Sequence, residues 1–70
     1  ENSEAWRILL ARMMNLGRLL DSLTSKALAT MSAEQGSYDR LQEEMTTMRI
    51  EGRQLVKSLR KSLAEVKRTG

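Results

Sequence analysis

Residues 29–37, ATMSAEQGS, decide how this chain is built, because they are the one stretch in which apolar periodicity fades. They hold Gly36 but no proline. Ser32 followed three residues later by Gln35 has the form of a capping box, and Ser37 is a candidate cap for a helix that follows. Ala, Met, Glu and Gln in the same stretch are nevertheless good helix formers, and Gly17 and Gly52 sit inside strongly helical pattern elsewhere. Two architectures compete. One is a single helix running straight through, roughly 100 Å long at about 1.5 Å per residue. The other is a two-helix hairpin that turns at 29–37.

Working outward, the apolar series upstream is Trp6, Leu9, Met13, Leu16, Leu20, Leu23 and Ala27, in steps of three and four. Trp6, Met13, Leu20 and Ala27 take heptad position a, and Leu9, Leu16 and Leu23 take d. Downstream the pattern resumes with Tyr38, Leu41, Met45, Met48, Gly52, Leu55 and Leu59, then Ser62 or Leu63, then Val66. This second series is displaced by four residues. Carried across by Met31 and Glu34, the displacement is a stutter near 27–36, which unwinds a coiled coil locally without ending the helix. The pattern predicts an all-α fold: a long, largely continuous amphipathic helix in a coiled-coil oligomer, a dimer or a dimer of dimers. The hairpin stands as the alternative. Long alternating runs of β-branched and aromatic residues, the mark of strands, are missing.

Within this single assembly segment the two halves differ. Residues 5–28 carry apolar side chains beyond a and d, with Leu10 at e, Leu19 at g, and Ile8 and Met14 further round. A two-stranded coil buries only a narrow seam, so this half is expected among more than two helices. Over residues 1–36 the charges balance, Arg7, Arg12, Arg18 and Lys26 against Glu1, Glu4, Asp21 and Glu34. Residues 38–68 have a narrower stripe and a basic end. From residue 49 onward Arg49, Arg53, Lys57, Arg60, Lys61, Lys67 and Arg68 face only Glu51 and Glu65, while Asp39, Glu43 and Glu44 make the start acidic. Such ends would orient a neighbour more than hold it, each exposed pair contributing at most ~1 kcal/mol.

Composition removes whole classes of function. With no Cys and no His among 70 residues, disulfides, a structural zinc site, thiolate chemistry and Ser–His pairs are all excluded. Glu43 and Glu44 are neighbours on a helix and diverge, and no glycine-rich phosphate loop is present. No enzyme and no cofactor is expected. No run of eighteen apolar residues exists, and ENSEAW lacks the regions of a signal peptide. The absence of an initiator Met suggests a segment of a longer, cytoplasmic protein.

Several residues carry a bland and a sharp meaning together. Trp6 is either the plug at one end of a bundle or a hot-spot anchor in a partner's groove. Trp6 and Leu19, thirteen apart with Arg7, Arg12 and Arg18 around them, make a weaker case for a basic amphipathic helix seated in a groove. The five Met residues are soft core fillers, a type also frequent on surfaces with several partners. Gly52 in the seam marks a weak point or a close approach. The basic residues Arg53, Lys57, Arg60, Lys61, Lys67 and Arg68 would meet an anionic partner, yet no aromatic residues are interleaved for stacking on bases. Ser58 and Ser62 lie among them, where phosphorylation would cut the positive charge.

The sequence therefore points to a non-enzymatic oligomerisation and scaffold-assembly module. Its interface would run along Trp6, Leu9, Leu10, Met13, Leu16, Leu19, Leu20, Leu23, Ala27 and Met31, and along Tyr38, Leu41, Met45, Met48, Leu55, Leu59 and Val66. The partner would be the chain itself, as homodimer or homotetramer, or a helical segment of the same or another scaffold protein. The alternative is an adaptor whose N-terminal Trp/Leu/Met stripe docks a partner helix or groove. A third is a basic helix bound to nucleic acid or anionic lipid, neither of which is the expected partner. Cytoskeletal and centrosomal scaffolds in the cytoplasm use such segments often.

Overall fold

Helix-forming residues and the absence of proline give two long helices, α1 (Ser3–Met31) and α2 (Ser37–Thr69). The computed structural model describes residues 3–32 and 37–70, and among these the fold is all-helical with no strand. Glu4 in the first turn of α1, Asp39 in the first turn of α2, and Lys67 and Arg68 in the last turn of α2 oppose the helix dipoles. The Gly70 amide donates to the Val66 carbonyl at 2.9 Å, continuing the i to i−4 ladder past Thr69. The hydroxyls of Thr24, Thr30, Thr46 and Thr69 each donate to the carbonyl four residues earlier, at 2.8 to 3.1 Å. That bond lets Thr30 be buried at the closed end of the seam without an unpaired hydroxyl.

The helices lie side by side and antiparallel. Arg12 reaches Ser58 and Ser62, a Cβ on Gly52 would stand 3.9 Å from Leu19 Cδ2, and Lys26 Nζ lies 2.6 Å from Glu44 Oε2. In the level pairs Arg12–Ser58, Leu19–Gly52 and Lys26–Glu44 the residue numbers add to 70 or 71, so one register holds along the helices. The longest Cα dimension is 53 Å, about half what one straight helix of this length would span. The structure therefore has two packed helices where the leading expectation was one continuous helix. Residues 33–36 lie outside the described residues, and with them the middle of the expected turn at 29–37, the last part of the stutter near 27–36, Glu34 and the capping partner Gln35.

The seam combines one expected column with one unexpected column. Leu9, Leu16 and Leu23 face α2 as the d positions should. The second α1 column is Ala5, Arg12 and Leu19, each one residue before a predicted a position. Trp6, Met13 and Leu20, expected in the seam, are 46, 49 and 58% exposed, against 2% for Leu9. On α2 the predicted phase matches the inward side at Leu41, Met48, Gly52, Leu55, Leu59, Ser62 and Val66, while Tyr38 and Met45 are exposed. Ala5, Leu9 and Val66, with Leu59 against them, form the core at the end where the two termini meet.

Arg12 accounts for part of the shifted phase. Its guanidinium donates to the Ser58 carbonyl at 3.2 Å and to the Ser62 hydroxyl. A long basic side chain thus occupies a seam position because α2 supplies two oxygen acceptors at that level, while its stem covers apolar surface. Leu19 packs over Gly52, where a Cβ would meet it at ordinary contact distance, so this packing does not itself require glycine.

Candidate interaction surface

Advancing the inward positions of α1 by one residue generates a second stripe: Trp6, Leu10, Met13, Gly17, Leu20, Thr24, Ala27 and Met31, again spaced four and three. None of the eight is charged, in a chain that is 30% charged. Ala27 and Gly17 are half-buried and the other six are exposed. One residue is about 100° of helix rotation, so α1 carries two heptad stripes at nearly a right angle. One faces α2 and one faces solvent. Met14 and Leu28 border the outer stripe, whereas Ile8 and Ile50 are exposed away from it.

The same helical geometry fixes which flank of α2 lies beside this stripe. Residues 42, 49, 56 and 63, and next to them 53, 60 and 67, turn to that side. A shallow groove there is lined by Leu16 from α1 and by Gly52, Arg53, Val56, Lys57 and Arg60 from α2. Val56 and Leu63 extend the apolar surface across the hairpin, and Arg49, Arg53, Arg60 and Lys67 border it with positive charge. The opposite side is polar. There Lys26 pairs with Glu44, Arg12 meets Ser58 and Ser62, and Arg68 pairs with Glu65. The helix pair thus has one uncharged edge on α1, one basic flank on α2 and one mixed polar side.

The ion-paired carboxylates lie on the polar side. A hydrogen bond from Lys26 and its charge hold the Glu44 carboxyl below the ordinary carboxylate value. The hydrogen bond from Arg68 does the same for Glu65, and Glu65 in turn raises Arg68. These are solvent-exposed surface pairs, so they set local geometry more than stability. Among the described residues no group of acidic side chains is placed to hold a metal ion. No helix among them is long and apolar enough to cross a membrane.

The residues singled out from sequence are divided between the two faces. Leu9, Leu16, Leu19 and Leu23 go to the internal seam, as do Leu41, Met48, Leu55, Leu59 and Val66, while Ala27 lies half-buried on the outer stripe. Trp6, Leu10, Met13, Leu20, Met31, Tyr38 and Met45 remain outside. Arg53, Lys57, Arg60, Lys61, Lys67 and Arg68 are all exposed, with only the first three lining the groove. Ser62, considered above as a phosphorylation site, is 4% exposed beneath Arg12, and Ser58 is half-buried. Arg12, Ala5 and Thr30 are seam residues the apolar periodicity did not select. The available signal was that each stands four residues from a d-column leucine or seven from another inward position. Compared with protein families, curated proteins and solved structures, the chain finds no match.

Proposed function

We propose that this chain is a non-enzymatic assembly module: a helical hairpin that self-associates and so fixes the spacing of flanking regions in a larger scaffold. The observation that carries the reading is the uncharged outer stripe of α1. A stripe that keeps heptad spacing along a whole helix, free of charge and exposed, is surface suited to a further helix. Its position beside the internal seam supports an assembly of more than two helices. Cytoskeletal or centrosomal scaffolds are settings that such a module fits.

The groove around Leu16 and Val56 favours a second reading, an adaptor for an acidic amphipathic helix, since Arg53, Lys57 and Arg60 surround its apolar floor. Mass measured by sedimentation equilibrium over a range of concentrations and salt separates the two. Self-association predicts a dimer or tetramer formed by the chain alone. A mass of 8.0 kDa at all concentrations would remove the assembly reading. A contact with nucleic acid would weaken steeply as salt rises.

A further inference from the structure

We infer that the outer stripe of α1 is the seat of a second copy of this chain, packed α1 against α1 in antiparallel fashion about a two-fold axis between Gly17 and Leu20. This rests on the assembly reading above and names the partner and its register.

Surface area is the first ground. A folded monomer of 8.0 kDa is expected to expose about 4,450 Å², whereas this hairpin exposes 5713 Å². The excess, roughly 1,250 Å², is more than the ~800 Å² per partner that a standard interface buries. A hairpin with extents of 53 × 17 × 10 Å is only two helices thick, so one further contact along its length covers an area of that order.

Self-complementarity is the second ground, and it selects the second copy over an unrelated helix. The stripe runs in steps of 4, 3, 4, 3, 4, 3 and 4 residues, a series that reads the same in both directions. Laid against itself antiparallel, it sets Leu20 opposite the partner's Gly17, Met13 opposite the partner's Thr24, and Leu10 opposite the partner's Ala27. Each of these layers joins a large side chain to a small one, and symmetry repeats each layer once. Trp6 and the partner's Met31 close both ends with a sulfur–aromatic contact. Parallel pairing would instead stack Gly17 on Gly17 and Trp6 on Trp6, leaving one layer empty and another overfilled.

Gly17 supplies the third ground. Nothing lies within 4 Å of the place a Cβ would occupy there, so the hairpin itself does not need glycine. Glycine inside an exposed helix lowers helix stability. In the dimer the same position is the hole that receives Leu20.

Because the chain has no Cys, the register can be tested by placed disulfides. In the antiparallel pair the flanking positions Met14 and Asp21 of opposite copies lie together. The chain carrying both Met14→Cys and Asp21→Cys should give near-complete covalent dimer under mild oxidation, with mass spectrometry locating a 14-to-21 link. Within one helix these positions are about 10 Å apart, too far for a bridge. Met14→Cys alone should give little dimer, and Ile50→Cys on α2 should give none. Efficient linkage by Met13→Cys alone, which lies about 16 Å from its copy in the antiparallel pair but against it in a parallel one, would show parallel pairing and overturn the inference. A dimer by sedimentation without the 14-to-21 link would overturn it too, leaving the assembly reading intact. A wild-type monomer would remove both. Gly17→Leu checks the packing separately, with unfolding of the monomer at high dilution no easier than in wild type and dimer dissociation about tenfold easier. A tighter dimer in that variant would refute the Gly17–Leu20 layer.

Discussion

Arg12 is where the hairpin is most open to a decisive test, because a charged side chain stands in its seam on uncharged acceptors. Removing it as Arg12→Ala takes away the bonds to the Ser58 carbonyl and the Ser62 hydroxyl together with the packing of its stem. Each such bond is worth about 0.5–1.5 kcal/mol net, and the Ser62 hydroxyl can turn back to a carbonyl four residues earlier, as the threonines here do. The expected loss is about 1–2 kcal/mol, or about 5–15 °C in Tm for a chain of this size. The combination Arg12→Met with Ser62→Ala removes both partners and puts an apolar chain in the seam, so its stability should return to within about 0.5 kcal/mol of wild type.

Thermal unfolding by circular dichroism, repeated over at least a hundredfold range of concentration, keeps hairpin stability apart from association. The coupling between the two sites is read from the cycle formed by Arg12→Ala, Ser62→Ala and the double variant. Contact predicts that the double variant loses less than the sum of the singles by at least about 0.5 kcal/mol. If the two losses simply add, Arg12 does not engage Ser62 and α1 is not turned as described. An unchanged Tm for Arg12→Ala would refute the seam placement itself.

Two further tests address the polar side and the division of the apolar surface. Glu44 has its carboxyl value lowered by Lys26, so its contribution is present above the ordinary unfolded carboxylate value and is lost as pH falls through the lower folded value. The Tm difference between wild type and Glu44→Gln should therefore be small and positive near neutral pH, vanish on acidification below that folded value, and shrink with added salt. An undiminished difference in strong acid would show that the pair is not its source. Leu9→Ala, at the most buried side chain, should cost the hairpin about 2–4 kcal/mol. Leu20→Ala should cost a dilute monomer less than about 0.5 kcal/mol while weakening association, and equal losses in the two variants at high dilution would place Leu20 in the seam after all.

Residues differ in how plainly their place could be read. On α2 only one pair of adjacent columns is apolar, so the inward positions Met48, Leu55, Leu59 and Val66 follow from spacing alone. On α1 the leucines at 9, 16 and 23 were equally legible. What spacing could not settle was the second column, because both neighbours of the leucine column are available. Trp6, Met13 and Leu20 are more apolar than Ala5, Arg12 and Leu19, so counting hydrophobic residues selects the former. The acceptors of Arg12 and Lys26 stand some 18 to 50 residues away in sequence, and periodicity carries no information at that range. The break between the helices was open for a different reason: Ala, Met, Glu and Gln keep helix propensity high right up to Gly36.

The column that spacing misplaced is also what gives α1 its second stripe. Had α1 turned Trp6, Met13 and Leu20 together with the leucine column toward α2, its remaining large apolar residues would have been divided, Leu10, Met14 and Leu28 on one flank and Ile8 and Leu19 on the other. Neither flank could then have formed a continuous contact. By turning toward the other neighbour of the leucine column, α1 buries that column with Ala5, Arg12 and Leu19 and leaves Trp6, Leu10, Met13 and Leu20 in one stripe at about 100° to the first, with Ile8 outside it. A helix at the corner of a four-helix bundle meets its two neighbours in nearly that geometry. Arg12 and Lys26 occupy the internal column, where α2 offers Ser58, Ser62 and Glu44 as partners, and the outer stripe is left without charge. For an isolated hairpin this is the less economical arrangement, since it exposes Trp6 and buries part of Arg12. For a helix that must bury one face against its own chain and another against a second copy, it is the arrangement that satisfies both.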